Sequence, residues 1–142
     1  MLRDCGPYAK MLDYVWVAVG GALGSVARFW LSGVAARHIG ETFPWGTILV
    51  NVSGSFGIGL FATLTAPEGR WLVPAWFRQQ FFMTGICGGY TTFSSFSLQT
   101  LNLMADGEWL YAGANVIFSV FCCLLAVWLG HLLAGSLNAT PR

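Results

Sequence analysis

The sequence predicts an all-α membrane protein with four transmembrane helices, the third of them broken near the bilayer midplane. Three observations carry that prediction. The chain is 56% hydrophobic and only 9% charged, with a mean hydropathy of +0.63, whereas an ordinary soluble domain is about 25% charged. Apolar runs of membrane-crossing length recur from end to end. Inside one of them sits Gly85-Ile86-Cys87-Gly88-Gly89-Tyr90-Thr91-Thr92-Phe93-Ser94-Ser95-Phe96-Ser97, rich in glycine and hydroxyl residues.

The first apolar segment runs from Tyr14 to Ala36. It follows Arg3, Asp4, Lys10 and Asp13 and shows no Ala-x-Ala cleavage signal, so it reads as a retained helix and not a signal peptide. Gly20, Gly21 and Gly24 give it a close-packing face of the small-xxx-small kind. Arg28 is an ionisable residue about halfway along this span. A membrane Arg faces protein or water, so it either raises the potential beside an anion path or snorkels to cap carbonyls at an interface.

The second segment spans Trp45 to Ala66, with Thr47, Asn51 and Gly54 spaced to share one helix face. The Asn51 amide offers two N–H donors without charge and needs a partner in lipid. Bonding between helices is the common use of such an Asn. Beside a broken helix, contact with a solute is the preferred reading.

The third segment, Val73 to Met104, would rise roughly 48 Å as one helix, against a hydrocarbon core of about 30 Å. Glycines followed by β-branched Thr91 and Thr92 are poor helix formers, so the break is expected there. Unwound backbone at bilayer depth is tolerated only when buried in protein or lining a watery path. Thr91, Thr92 and Ser94 are candidate N-caps for the half-helix that follows. That helix start carries partial positive charge, and the preceding half ends in unpaired carbonyls. Phe93 and Phe96 share a face, and the rim of an aromatic ring is its positive pole. Taken alone, such a Phe pair is ordinary helix packing; beside neutral N–H and O–H donors it suits a small anion that must shed water.

The fourth segment runs from Leu110 to Ala134, with Asn115, Ser119 and Cys123 in a thin polar stripe that serves packing or a pore equally well. Residues 1–13 read as an N-terminal extension, 14–134 as the four-helix domain and 135–142 as a tail. Short loops leave no room for a soluble domain. An even number of spans puts Arg3, Lys10, Arg70, Arg78 and Arg142 on one side, against Arg37 on the other, which favours cytoplasmic termini.

Several functions are disfavoured. A net charge of +1 makes no case for nucleic acid. Asp4, Asp13, Glu41, Glu68, Asp106 and Glu108 are all terminal or in loops, so proton-coupled export lacks its membrane carboxylate. There is no Ser-His-Asp set and no carboxylate pair, so the chain does not read as an enzyme. Cys5, Cys87, Cys122, Cys123, His38 and His131 make no metal-ligand spacing and read as packing or surface residues.

Three motifs in order resemble the small dual-topology fluoride channels (Fluc type, also called camphor-resistance proteins). They are Gly20-Gly21-x-x-Gly24-x-x-x-Arg28, Gly46-Thr47-x-x-x-Asn51-x-x-Gly54, and Gly85-x-x-Gly88-Gly89-x-Thr91-Thr92-Phe93-Ser94-x-Phe96. Together they cover most of the chain, and the last is highly specific. The resemblance implies an antiparallel homodimer of inverted copies with two separate pores, in the bacterial plasma (inner) membrane. By similarity, Phe93 and Phe96 line the fluoride path, Asn51 and Thr47 donate hydrogen bonds, and Ser119 and Cys123 lie on a polar track. Arg28 would sit near a vestibule, and a structural Na+ would be held at the dimer centre by the carbonyls of Gly88 and Thr91.

The resemblance implies a passive fluoride channel. HF enters a cell neutral, dissociates, and the anion leaves down its gradient, which relieves toxicity. Small hard fluoride is costly to desolvate, so a dense set of fixed donors selects it. A small secondary anion exporter and a non-conducting packing subunit are the alternatives. The chain departs from its relatives at Gln99, where many carry Glu, and at Cys123, where a hydroxyl is expected. No role is assigned to Gln99 or Asn115, and residues before about position 13 have no family counterpart.

Overall fold

The computed structural model describes residues 7–40 and 42–139. The ends of the predicted extension and tail (1–6 and 140–142), with Arg3, Asp4, Cys5 and Arg142, lie outside the described residues, as does Glu41. Among the described residues the secondary structure is helical, with no strand.

Helix α1 covers Pro7–Ile39. Proline at a first helical position is favoured because its missing N–H would be unpaired there anyway. The helix therefore starts inside the expected extension and runs unbroken past residue 14. It ends at Gly40, whose φ of 95° suits a residue without Cβ and whose N–H bonds Ala36 O. Helix α2 covers Trp45–Leu64. Helix α3 is a π-wound stretch, Phe77–Cys87, continued by the short α turn Gly88–Tyr90. Helix α4 covers Phe93–Ala105 and α5 covers Trp109–Ala139, so α5 extends into the expected tail. Between α4 and α5 the chain reverses at Gly107 (φ 80°), where Glu108 N–H bonds Leu103 O and Gly107 N–H bonds Met104 O.

Residues Met11–Ile39, Trp45–Leu64 and Trp109–Ala139 are long and apolar enough to cross a membrane. The third apolar segment differs. It comes as two shorter helices with Thr91 and Thr92 between them.

The helices pack as two pairs, α2 on α5 and α1 on α3. The α1–α3 seam is backbone against backbone. A Cβ on Gly20 would overlap the Phe81 carbonyl oxygen, and one on Gly24 would overlap Ile86 O. A Cβ on Gly89 would sit 2.9 Å from Gly21 Cα. This corrects one expectation: Gly85, Gly88 and Gly89 are helical, and the chain leaves the helix only at Thr91. Two facing glycine surfaces gain more from close approach in lipid than they lose to weak helix propensity. Trp16 stacks on Trp76 at 4.3 Å and closes the end of this seam.

The α2–α5 pair is similar, with Gly59 against Val127 O and Gly130 against Phe56 O. Its far end is capped by arginines. Arg78 donates from Nε to Thr65 Oγ1 (3.2 Å) and from Nη2 to Ala62 O (3.3 Å) at the end of α2. Arg70 donates from Nη1 to Leu137 O (2.8 Å) at the end of α5. Cations at helix C-termini also complement the helix dipole.

Candidate anion pathway

Thr91 (φ −80°, ψ 156°) and Thr92 (φ −151°, ψ 112°) are extended, which interrupts the hydrogen-bond ladder. Several of the groups set free there find new partners. The Thr91 N–H and Oγ1–H both donate to Cys87 O, each at 2.9 Å. From α2, the Asn51 amide clamps the Thr92 main chain: Nδ2 donates to Thr92 O (3.1 Å) and Oδ1 accepts from Thr92 N–H (2.7 Å). Thr92 Oγ1 then accepts from Ser95 N–H at 3.2 Å and caps α4. Of the three candidate caps, Thr92 does this work; Thr91 finishes α3 instead, and Ser94 only bonds the Thr92 hydroxyl at 3.2 Å.

Gly54 belongs to the same arrangement, because a Cβ there would overlap Thr91 Cγ2. The Asn51–Gly54 face of α2 is therefore shaped to the extended residues. Next to it, Ser53 Oγ lies 2.8 Å from the Tyr90 hydroxyl.

A cavity of about 430 Å³ opens beside the interruption, bounded by α2, α3, α4 and α5. Asn51, Phe93, Phe96, Ser119 and Cys123 line it, and so do Gly88 and Thr91. No charged side chain lines it among the described residues. The Phe93 and Phe96 rings meet at 5.1 Å and 50°. Phe96 is buried, while Phe93 is 77% exposed at the cavity mouth. Thr47 is buried on α2 but stays out of the lining, and Arg28 is half-buried on α1, also outside it.

With Thr92 N–H given to Asn51 and Ser95 N–H given to Thr92 Oγ1, the carbonyls of Gly88 and Thr91 lose their helical donors. These are hard, neutral oxygens, the ligand type that a small alkali cation prefers. No cluster of three or more His, Cys, Asp or Glu residues suited to a metal occurs among the described residues.

Two features escaped the sequence reading. Cys87, expected only to pack, lines the cavity with Cys123. The other is Thr100, four residues after Phe96: its hydroxyl donates to Phe96 O (2.8 Å) and accepts from Asn115 Nδ2 (2.8 Å). Gln99 lines a separate polar cavity of about 450 Å³ with Asn102, Asp106, Glu108 and Tyr111. Its Oε1 is buried there without a partner.

Residues 15–131 match the family described as CrcB-like protein, Camphor Resistance (CrcB). The chain belongs to the CrcB family. It is 67% identical over 126 residues to the fluoride-specific ion channel FluC of Opitutus terrae, covering 89% of this chain and 95% of that one. A second relative of that name, from Rhodospirillum rubrum, is 60% identical over 127 residues, covering 89% and 98%. A third, from Methylocella silvestris, is 58% identical over 127 residues, covering 89% and 96%. The CrcB match includes every residue that lines the cavity.

Proposed function

We propose that this CrcB-family chain is a passive, fluoride-selective channel that exports fluoride from the bacterial cytoplasm across the inner membrane, and that it is not an enzyme. The observation that carries the reading is the uncharged cavity at the interrupted helix, where an amide, hydroxyls, thiols and paired Phe rings meet. Relatives sharing 58–67% of their residues with this chain bear the name of such a channel.

In this reading α3 and α4 together form one membrane span, broken near the bilayer midplane, and the chain has four spans. Residues 14–134 form the conducting domain. Two copies pack head to tail, and the inverted partner covers the side on which Phe93 is exposed. Fluoride sheds water in steps: ring edges of Phe93 and Phe96 supply weak positive potential, and neutral donors replace part of the hydration shell. Asn51 has one N–H left after clamping Thr92 and offers it to the anion. Thr47 and Arg28 lie outside the cavity and act at its approaches. Ser119 and Cys123 continue the path along α5. Na+ at the dimer centre would be held by the Gly88 and Thr91 carbonyls and would supply a fixed positive charge that ties the two breaks together.

Fluoride efflux from liposomes holding the purified protein tests this. Rapid efflux that requires a counter-ion pathway, such as a potassium ionophore, supports the channel. Slow, saturating efflux that follows a proton gradient replaces it with an exporter, and no flux of any anion leaves a packing subunit.

A further inference from the structure

Ser119 lines the cavity, but its proton does not point there. A chain of hydrogen bonds of fixed direction starts at the Phe96 carbonyl, which accepts from Thr100 Oγ1 at 2.8 Å. The single Thr100 proton is thereby used, so toward Asn115 the hydroxyl can only accept. Asn115 must present Nδ2 to it, at 2.8 Å, and its Oδ1 is forced to the other side. There Ser119 Oγ donates to Oδ1 at 3.2 Å. Asn115 is 1% exposed, so neither end of its amide has water as a substitute partner. The result is that Ser119 shows the cavity lone pairs, which repel an anion, until its hydroxyl turns away from Asn115.

We infer that Asn115, held in one orientation by Thr100, is a positioning residue that sets the direction of the Ser119 hydroxyl and so weakens anion binding at this point of the path. The inference rests on the channel reading. Thr100 and Asn115 stay out of the cavity lining and act only through Ser119. A conduit needs this restraint, because a station that holds its ion too firmly stops it from leaving.

Two variants test the inference in liposomes. Asn115→Leu removes the acceptor. Thr100→Val removes the group that orients the amide, at almost unchanged volume, and lets Asn115 turn its Nδ2 to Ser119. Both free the Ser119 proton for the anion. The readout is the ratio of the initial efflux rate at low fluoride to that at high fluoride. It should rise about fivefold in each variant, the weight of one ordinary hydrogen bond. In a Ser119→Ala background neither change should move the ratio further. An unchanged ratio in Thr100→Val, or a rise that persists without the Ser119 hydroxyl, overturns the inference. Absence of flux from the parent protein would instead remove the channel reading itself.

Discussion

The two halves of the Gly85–Ser97 stretch use the same sequence signal in opposite ways. Its glycines are all helical, and Gly85 and Gly89 press α3 onto α1, where Gly20 and Gly24 have backbone atoms in the place of side chains. Its threonines leave the helix, and Asn51 clamps Thr92 from α2. One half is a glycine seam crossed by a hydrogen bond from Ser25 Oγ to Gly89 O (3.4 Å), and the other is a polar turn beside an open cavity. Weak helix propensity therefore marks two different things: close approach where a matching small-residue face lies opposite, and interruption where a side chain stands ready to receive the main chain.

The largest expected effect breaks the seam. Gly24→Val would drive a branched side chain into Ile86 O, and Tyr90 N lies 2.8 Å from where its Cβ would be, so backbone must move. Overpacking of this kind costs about 1–3 kcal/mol or more. Size-exclusion chromatography should show the purified protein lost from the monodisperse peak. A monodisperse, active variant would show that the seam yields easily.

Next comes the clamp. Asn51→Asp keeps an acceptor for Thr92 N–H but sets a negative charge against Thr92 O and the pathway. Like charges brought together cost several kcal/mol, so flux should fall by roughly a hundredfold. Full activity would reduce the amide to a brace between helices. A smaller loss, about tenfold, is expected in Phe96→Ile, which keeps apolar bulk but removes the ring edge, worth about 0.5–1.5 kcal/mol beyond its area. Its assembly should be unchanged, and unaltered efflux would take the ring out of the mechanism.

The smallest effect sharpens the contrast. Nothing lies within 4 Å of a Cβ placed on Gly21, although this residue sits between Gly20 and Gly24 in sequence. Gly21→Ala should change stability by less than about 0.5 kcal/mol, read as an unshifted thermal transition in detergent. A large loss there would mean that this face of α1 meets something beyond the single chain.

Much of this was legible before any coordinates. Apolar run length placed the start of α2 at Trp45, and the stretch that leaves the helix lies within the residues singled out. Periodicity put Asn51 and Gly54 on one face, and both meet the extended threonines. Other features were not legible, for physical reasons. Which poor helix formers unwind depends on what faces them, and the glycine seam of α1 lies more than sixty positions upstream of its partner. The Thr100–Asn115 bond joins side chains of two different helices, and its fixed direction follows from the Phe96 carbonyl, which no side-chain pattern reveals. The reach of α1 back to Pro7 and of α5 out to Ala139 also exceeds the apolar core, because a helix can continue beyond the part that lipid requires.

The most direct measurement of the central claim is the reversal potential of currents through the purified protein in a planar bilayer under a fluoride gradient. The account predicts a current that reverses at the Nernst potential of fluoride, and stays there when a pH gradient is added or chloride is substituted on one side. A reversal that moves with the proton or chloride gradient, or a bilayer that carries no current, would contradict it.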